Sequence, residues 1–220
     1  MSQNAVIFDM DGLLIDSEPL WQEAGIETLS TYGVKLTDQQ YHSSTGLRTP
    51  EWIDHWFTYF QVDTSYAPLA ISRIEEAAME KIKLRAQALP GVPFILDFFR
   101  KQGYRIGIAS SSPQRLIDLV IDKLGIGTYI EETSSAGTLA YGKPHPEVFI
   151  NCAARLQVKT SHCLVFEDSF NGLIAAKAAK MKCVVVPAPE VFNQPKWGAA
   201  DLKLGSLGNF NELLLHAIWK

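Results

Sequence analysis

The sequence predicts an α/β fold: a Rossmann-like parallel-sheet core with helices on both faces and an inserted all-helical domain. Three observations carry this reading. A compact apolar strand, Ala5-Val6-Ile7-Phe8, stands alone near the start, residues 33–86 carry helical periodicity only, and from residue 90 onward strands and helices alternate. Such alternation is the signature of parallel strands joined by crossover helices.

Taken in order, the first strand is β-branched and stops at Asp9-Met10-Asp11-Gly12, a turn signal. Residues 17–32 then have helical spacing (Leu20, Ala24, Glu27, Leu29), with Ser17 as the expected N-cap, Glu18 in the first turn and Gly33 as the stop. Trp52, Trp56 and Phe60 recur at i, i+4 and i+8, and the charged stretch 71–85 is also helical. The cluster Trp52, His55, Trp56, Tyr59 and Phe60 reads as helix packing. After Leu89-Pro90-Gly91 come a helix to Lys101, a strand over 105–109, a helix over 113–124 closed by Gly125, and a weak strand about Tyr129-Ile130. A helix over 146–156, a strand over 162–166, a helix over 172–181 and a strand over 183–186 complete the pattern. The core is therefore expected at 1–16 and 87–220, and the helical insertion at 17–86.

A chain of 220 residues, 47% hydrophobic and 20% charged, can bury a sizeable core, which excludes disorder and a disulfide-dependent miniprotein. Its 20 basic and 24 acidic residues give a formal charge of −4 with no run of Lys or Arg, so nucleic acid and anionic membrane are not expected partners. Cys152, Cys163 and Cys183 form neither a CxxC pair nor a dense framework, which points to a reducing compartment. Met1-Ser2-Gln3-Asn4 has no basic region, Asp9 and Asp11 interrupt the apolar stretch behind it, and no apolar run approaches a membrane span. The expectation is a cytoplasmic protein, with a monomer favoured.

In an open parallel sheet, ligands bind beyond the carboxyl ends of the strands. Four segments qualify: Asp9-Met10-Asp11, Ser110-Ser111-Ser112, Gly142-Lys143-Pro144 and Glu167-Asp168-Ser169. Two carboxylates two residues apart on an extended segment can face one side, and a divalent cation such as Mg2+ gives like charges a reason to sit together. Glu167 and Asp168 could complete such a site. One acidic pair alone could equally cap the next helix; two pairs at two strand ends favour the metal. Ser110, with the amides of the next turn, could bind a phosphate oxygen or serve as an ordinary N-cap. Lys143 could neutralise phosphate and nucleophile together or be a solvated loop lysine.

These residues resemble the haloacid dehalogenase (HAD) superfamily. Phe8-Asp9-Met10-Asp11-Gly12-Leu13-Leu14-Ile15-Asp16-Ser17 is similar to its first motif, Ala109-Ser110 to its second, Lys143-Pro144-His145-Pro146 to its third, and Glu167-Asp168-Ser169-Phe170-Asn171-Gly172 to its fourth. The insertion at 17–86 resembles the helical cap of the phosphoglucomutase and sugar-phosphatase branch. The resemblance implies Asp9 as the nucleophile that becomes an aspartyl phosphate and Asp11 as general acid and base. It implies Mg2+ held by the Asp9 carboxylate, the Asp11 carbonyl and Asp168, with Glu167 direct or through water. Ser110, Ser111 and Lys143 would bind the phosphoryl group. Asp11 speaks against a dehalogenase, because those relatives generally lack the second Asp.

Asp16-Ser17-Glu18-Pro19-Leu20-Trp21, Thr45-Gly46-Leu47-Arg48 and Val185-Val186-Pro187-Ala188-Pro189-Glu190 resemble the subgroup of 2-deoxyglucose-6-phosphate and hexitol phosphatases. The substrate expected is a small-molecule phosphate ester, a hexose or hexitol 6-phosphate. Trp21 could stack on the sugar or belong to the core, and Arg48 could reach the ester's distal oxygens or lie on the surface. Three alternatives were weighed. A β-phosphoglucomutase would share the core residues, but mutase relatives carry His where this chain has Trp21. A phosphorylatable regulatory module would have no need of Asp11. A dinucleotide-binding enzyme fails because Gly125-Ile126-Gly127 closes a helix and lacks the third Gly.

Overall fold

The computed structural model describes residues 4–44 and 46–220. Met1, Ser2 and Gln3 of the N-terminal segment and Thr45 of the Thr45-Gly46-Leu47-Arg48 motif lie outside the described residues. Strand β1 (Ala5–Phe8) is followed by α1 (Glu18–Ser30), α2 (Asp38–Ser43), α3 (Thr49–Phe60) and α4 (Ala67–Arg85). The chain continues through α5 (Val92–Lys101), β2 (Arg105–Ser110), α6 (Gln114–Leu124), β3 (Glu132–Ser135), α7 (Glu147–Arg155), β4 (Cys163–Glu167), α8 (Phe170–Ala178), β5 (Lys182–Val185), β6 (Leu202–Lys203) and α9 (Glu212–Ile218). The six strands form one parallel sheet in the order β3-β2-β1-β4-β5-β6. Strand β1 thus lies between β2 and β4, where the direction of winding reverses and a crevice opens at the carboxyl ends.

Both faces of the sheet are buried, and the period of two in the strands shows it. Val6, Phe8, Ile106, Ile108, Leu164, Phe166 and Val184 join one apolar cluster, with Ile95, Leu96 and Phe99 of α5 and Leu116, Ile117 and Val120 of α6. The intervening Ala5, Ile7, Ala109, Cys163, Val165, Cys183 and Val185 join the other, with Phe149 and Cys152 of α7 and Leu173 and Ala176 of α8. Phe8, Phe99, Phe166 and Phe210 pack as an aromatic group with centroid separations of 5.1–6.1 Å. Each fully buried ring stabilises the fold by about 2 kcal/mol relative to exposure.

Helix α4 packs against α1 and α3. Lys81 bridges to Glu23 and Glu27 at 2.6 and 3.2 Å, and Arg85 to Glu23 at 2.8 Å, tying the exposed edges of α4 and α1. The chain enters and leaves this helical segment through paired connectors: Asp16 N–H donates to Gln87 O at 2.9 Å and Leu89 N–H to Leu14 O at 3.1 Å. Two linkers held together at one place form a natural hinge.

Several local expectations are corrected. The third strand lies at 132–135, not at Tyr129-Ile130: Tyr129 N–H donates back to Ile126 O in a turn, and the strand is Glu-Thr-Ser-Ser at the sheet edge. A half-exposed edge strand needs no apolar alternation, so its sequence is silent. The two-residue β6 on the opposite edge was not anticipated for the same reason. Helix α1 stops at Ser30, short of Gly33. Ser17 occupies the N-cap position, yet its side chain makes no capping bond, because its hydroxyl donates to Asp11 instead. Helix α8 begins at Phe170 because Ser169 caps it, accepting from Gly172 N–H at 3.0 Å.

Candidate active site

The four expected segments meet above the carboxyl edge of β1. Asp9 leaves β1 with its N–H on Phe166 O at 2.9 Å, which continues the β1–β4 ladder by one residue and holds its carboxylate at the mouth of the crevice. Lys143 approaches from the loop after β3 and is 1% exposed. Its ammonium donates to Asp9 Oδ1 (2.5 Å), Glu167 Oε1 (2.6 Å) and Ala109 O (3.1 Å), all three protons used. It is a buried counter-charge, not a solvated loop lysine, and the two carboxylates drive its pKa up against the pull of burial.

Glu167, wholly buried, accepts at Oε2 from the Asp168 and Ser169 amides (3.1 and 3.0 Å) and the Ser169 hydroxyl (3.0 Å). Gly172 makes room for it, since a Cβ there would overlap the Glu167 carboxylate. Gly12, at φ 74°, is required for conformation and space alike: its turn is left-handed, and a Cβ would strike the Asp168 carboxylate.

Asp11 has different surroundings from Asp9. Its Oδ1 accepts from the Ser17 hydroxyl (2.6 Å) and the Trp21 indole N–H (3.0 Å). Its Oδ2 accepts from the Ser112 hydroxyl (2.7 Å) and, more weakly, the Ser110 hydroxyl (3.4 Å). Trp21 is thus polar in function, holding a carboxylate through its nitrogen while its ring lines the cleft.

The cleft is lined by Asp9, Asp11, Ser110, Ser111, Ser112, Lys143 and Asp168 from the sheet side. Glu18, Trp21, Gly25, Tyr41, Leu47, Arg48, Trp52 and Ile74 line it from the helical segment. Arg48 departs from its expected role: its guanidinium donates to Ala136 O (3.0 Å), Leu139 O (2.6 Å), Ala140 O (3.2 Å) and Glu51 Oε1 (2.7 Å), so its donors bridge to the core rather than to the cleft. Ser111 likewise bridges, its hydroxyl donating to Gly46 O at 2.9 Å. The packing reading of Trp52, Trp56 and Phe60 agrees with their ring contacts, with the addition that Trp52 also walls the cleft.

Residues 6–186 match the haloacid dehalogenase-like hydrolase family. The chain belongs to that family. This HAD-like hydrolase is 39% identical over 204 residues to hexitol phosphatase B of Escherichia coli (strain K12), covering 92% of each chain. It is 30% identical over 175 residues to the phosphorylated carbohydrates phosphatase of Thermotoga maritima, covering 80% of this chain and 81% of the relative. The crystal structure of β-phosphoglucomutase from Clostridium difficile superposes with a TM-score of 0.87 at 23% identity, covering 99% of this chain and 97% of that one, a likeness of fold.

The HAD-like site carries an excess of acid. Carboxylate oxygens of Asp9, Glu167 and Asp168 lie within 4.8 Å of one another. Burial raises the Asp9 pKa well above the ordinary range, and Glu167 and Asp11 add to it while Lys143 offsets part. Asp168 is raised in the same way, by burial and then by Glu167, Asp9 and Glu18. Glu18, half-buried beside Asp168, is pushed up to about 8 by burial and by Asp11, Glu167 and Asp16. Four clustered carboxyl groups share one buried ammonium, and a hard divalent cation is the group that would let them ionise together; an all-oxygen donor set suits Mg2+. Sequence reasoning missed Ser17, Glu18, Ser112 and Ser169 as parts of this site. The available signal was the i, i+4 spacing of Ser17 and Trp21, which puts two donors on one helix face.

Proposed function

We propose that this HAD-like hydrolase is a Mg2+-dependent phosphatase acting on hexose or hexitol 6-phosphates through an aspartyl phosphate at Asp9. The observation that carries the proposal is the division of labour between two aspartates two residues apart. Asp9 is buried against Lys143, whereas Asp11 is held by hydroxyl and indole donors at the cleft wall. Different environments give neighbouring carboxyl groups different tasks. Asp9 attacks phosphorus as the ester P–O bond breaks, and Asp11 gives its proton to the leaving alkoxide. Asp11 then takes a proton from the water that attacks the acyl phosphate, releasing phosphate and Asp9.

Asp9 and Asp168, with the Asp11 carbonyl, would hold the ion, and Glu167, whose oxygens are occupied by Lys143 and by the amides after β4, would act through water or by orienting Lys143. When bound, Mg2+ supplies charge neutralisation to the transferring phosphoryl group. Lys143 and the hydroxyls of Ser110 and Ser111 would hold the phosphoryl oxygens. Residues 17–86 would form a cap pivoting on the paired connectors and excluding bulk water, its Trp21, Tyr41 and Trp52 offering an amphipathic wall to a polyol. The 39% identity to a hexitol phosphatase supports the substrate class. Among the described residues no helix is long and apolar enough to cross a membrane, and we place the protein in the cytoplasm.

The test is phosphate release, with Mg2+ and with a chelator, from 2-deoxyglucose 6-phosphate, mannitol and sorbitol 6-phosphates, glucose 6-phosphate, β-glucose 1-phosphate and a nucleotide. Release confined to the 6-phosphates and lost with chelator is expected. Conversion of β-glucose 1-phosphate to glucose 6-phosphate without phosphate release would overturn the assignment in favour of a mutase.

A further inference from the structure

The segment 136–142 leads from β3 into Lys143 and has no helix or strand of its own. Irregular backbone must find partners for its polar groups, and here many come from the first turn of α3 on the helical segment. Arg48 caps the carbonyls of Ala136, Leu139 and Ala140 at 2.6–3.2 Å. Glu51 Oε1 accepts from Gly142 N–H at 2.7 Å, one residue before the lysine, and from Arg48 Nη2 at 2.7 Å. The approach is close enough that a Cβ on Gly142 would sit 2.5 Å from Glu51 Oε2 and 2.8 Å from Arg48 Nε. Only glycine fits there. Arg48 is 9% exposed, so these bonds are shielded from water, and they outweigh burial in holding the Glu51 carboxyl below its usual range.

We infer that Glu51, with Arg48, is a positioning residue for Lys143: the helical segment grips the backbone that carries the lysine, so that seating of the cap and readiness of the ammonium are one event. The inference rests on the phosphatase reading for its kinetic consequence but not for its structural one. Lys143 reaches Asp9, Glu167 and Ala109 O across a long flexible side chain, and such a side chain is only as well placed as the Cα from which it starts. A cap lifted from the core would release the carbonyls of 136–140 and Gly142 N–H together, loosening the lysine before product leaves. The joining of one residue pair to four backbone groups distinguishes this from an ordinary surface ion pair.

The test compares wild type, Glu51→Ala and Glu51→Gln. Hydrogen exchange read by mass spectrometry on the peptide spanning 136–143 is expected to accelerate about tenfold in Glu51→Ala, while peptides from β1, β4 and α4 stay unchanged. On the best sugar phosphate, Glu51→Ala is expected to lose about tenfold in kcat with KM within about twofold, and Glu51→Gln, which keeps an acceptor for Gly142, to recover most of it. Unchanged exchange at 136–143 would overturn the inference, as would faster exchange with full kcat. A rise in KM at constant kcat would instead make the pair a substrate contact and refute the positioning role. Should wild type release phosphate from no sugar phosphate, the phosphatase reading fails, and the exchange result still decides whether Glu51 holds the segment.

Discussion

Replacing Lys143 by Met removes the one ammonium buried among the acids while keeping the length and apolar stem of the side chain. Asp9 Oδ1 and Glu167 Oε1, now at 2.5 and 2.6 Å from the ammonium, would face each other without it. Removing one partner of a buried ion pair costs about 3–5 kcal/mol, a large share of the roughly 5–15 kcal/mol that holds a domain folded. Little of that cost is cavity, because Met fills most of the same volume. The acids can reduce it by binding a proton. A carboxyl group whose folded pKa lies above its unfolded value stabilises the fold below the unfolded pKa, near 4, and loses that contribution as pH rises through the folded pKa. Without Lys143, the Asp9 pKa, already raised by burial, rises further. The stability gap between wild type and Lys143→Met should therefore widen with pH, by up to about 1.4 kcal/mol per unit for one proton, between about pH 5 and pH 8. Urea unfolding followed by circular dichroism, with chelator at pH 5 and pH 8, measures it. A gap independent of pH, or a variant as stable as wild type at pH 8, would refute the view that Lys143 is the counter-charge of this cluster. Turnover should fall by about 100- to 1000-fold, as when one charge-stabilising group is lost from the transition state.

Other expectations follow from the same geometry. Asp9→Asn should abolish phosphate release with its thermal transition retained, and Asp11→Asn should turn over slowly and leave phosphate on Asp9 detectable by intact-protein mass spectrometry; wild-type release by either removes that residue from its role. Trp21→Phe keeps the ring but loses the bond to Asp11, and should lower kcat about tenfold, with His at the same position restoring part of it. Gly172→Ala should destabilise by about 1–3 kcal/mol in chemical denaturation, because its Cβ overlaps the Glu167 carboxylate. In chelator, Glu18, pushed up to about 8, should make stability decline from about pH 4 to about pH 8, and Glu18→Gln should flatten that decline in a thermal-shift pH series.

Much of this was legible in the sequence, for a physical reason. Buried strands announce themselves through local apolar runs, and the central β1, β2, β4 and β5 were all foreseen; Asp9, Asp11, Ser110, Lys143 and Asp168 stand at turns immediately after strands, where periodicity breaks. The edges were not legible, because β3 and β6 bury little and need no apolar pattern. What only the tertiary structure decided is where each polar side chain found its partner. Ser17 read locally as a helix cap and serves Asp11, Trp21 read as a stacking ring and donates through its nitrogen, and Arg48 read as a substrate ligand and grips carbonyls some 90 residues away. Periodicity records which way a side chain faces, since that is fixed by the backbone of its own element. A hydrogen-bond partner is fixed by how distant elements pack, and a linear sequence carries no local trace of it.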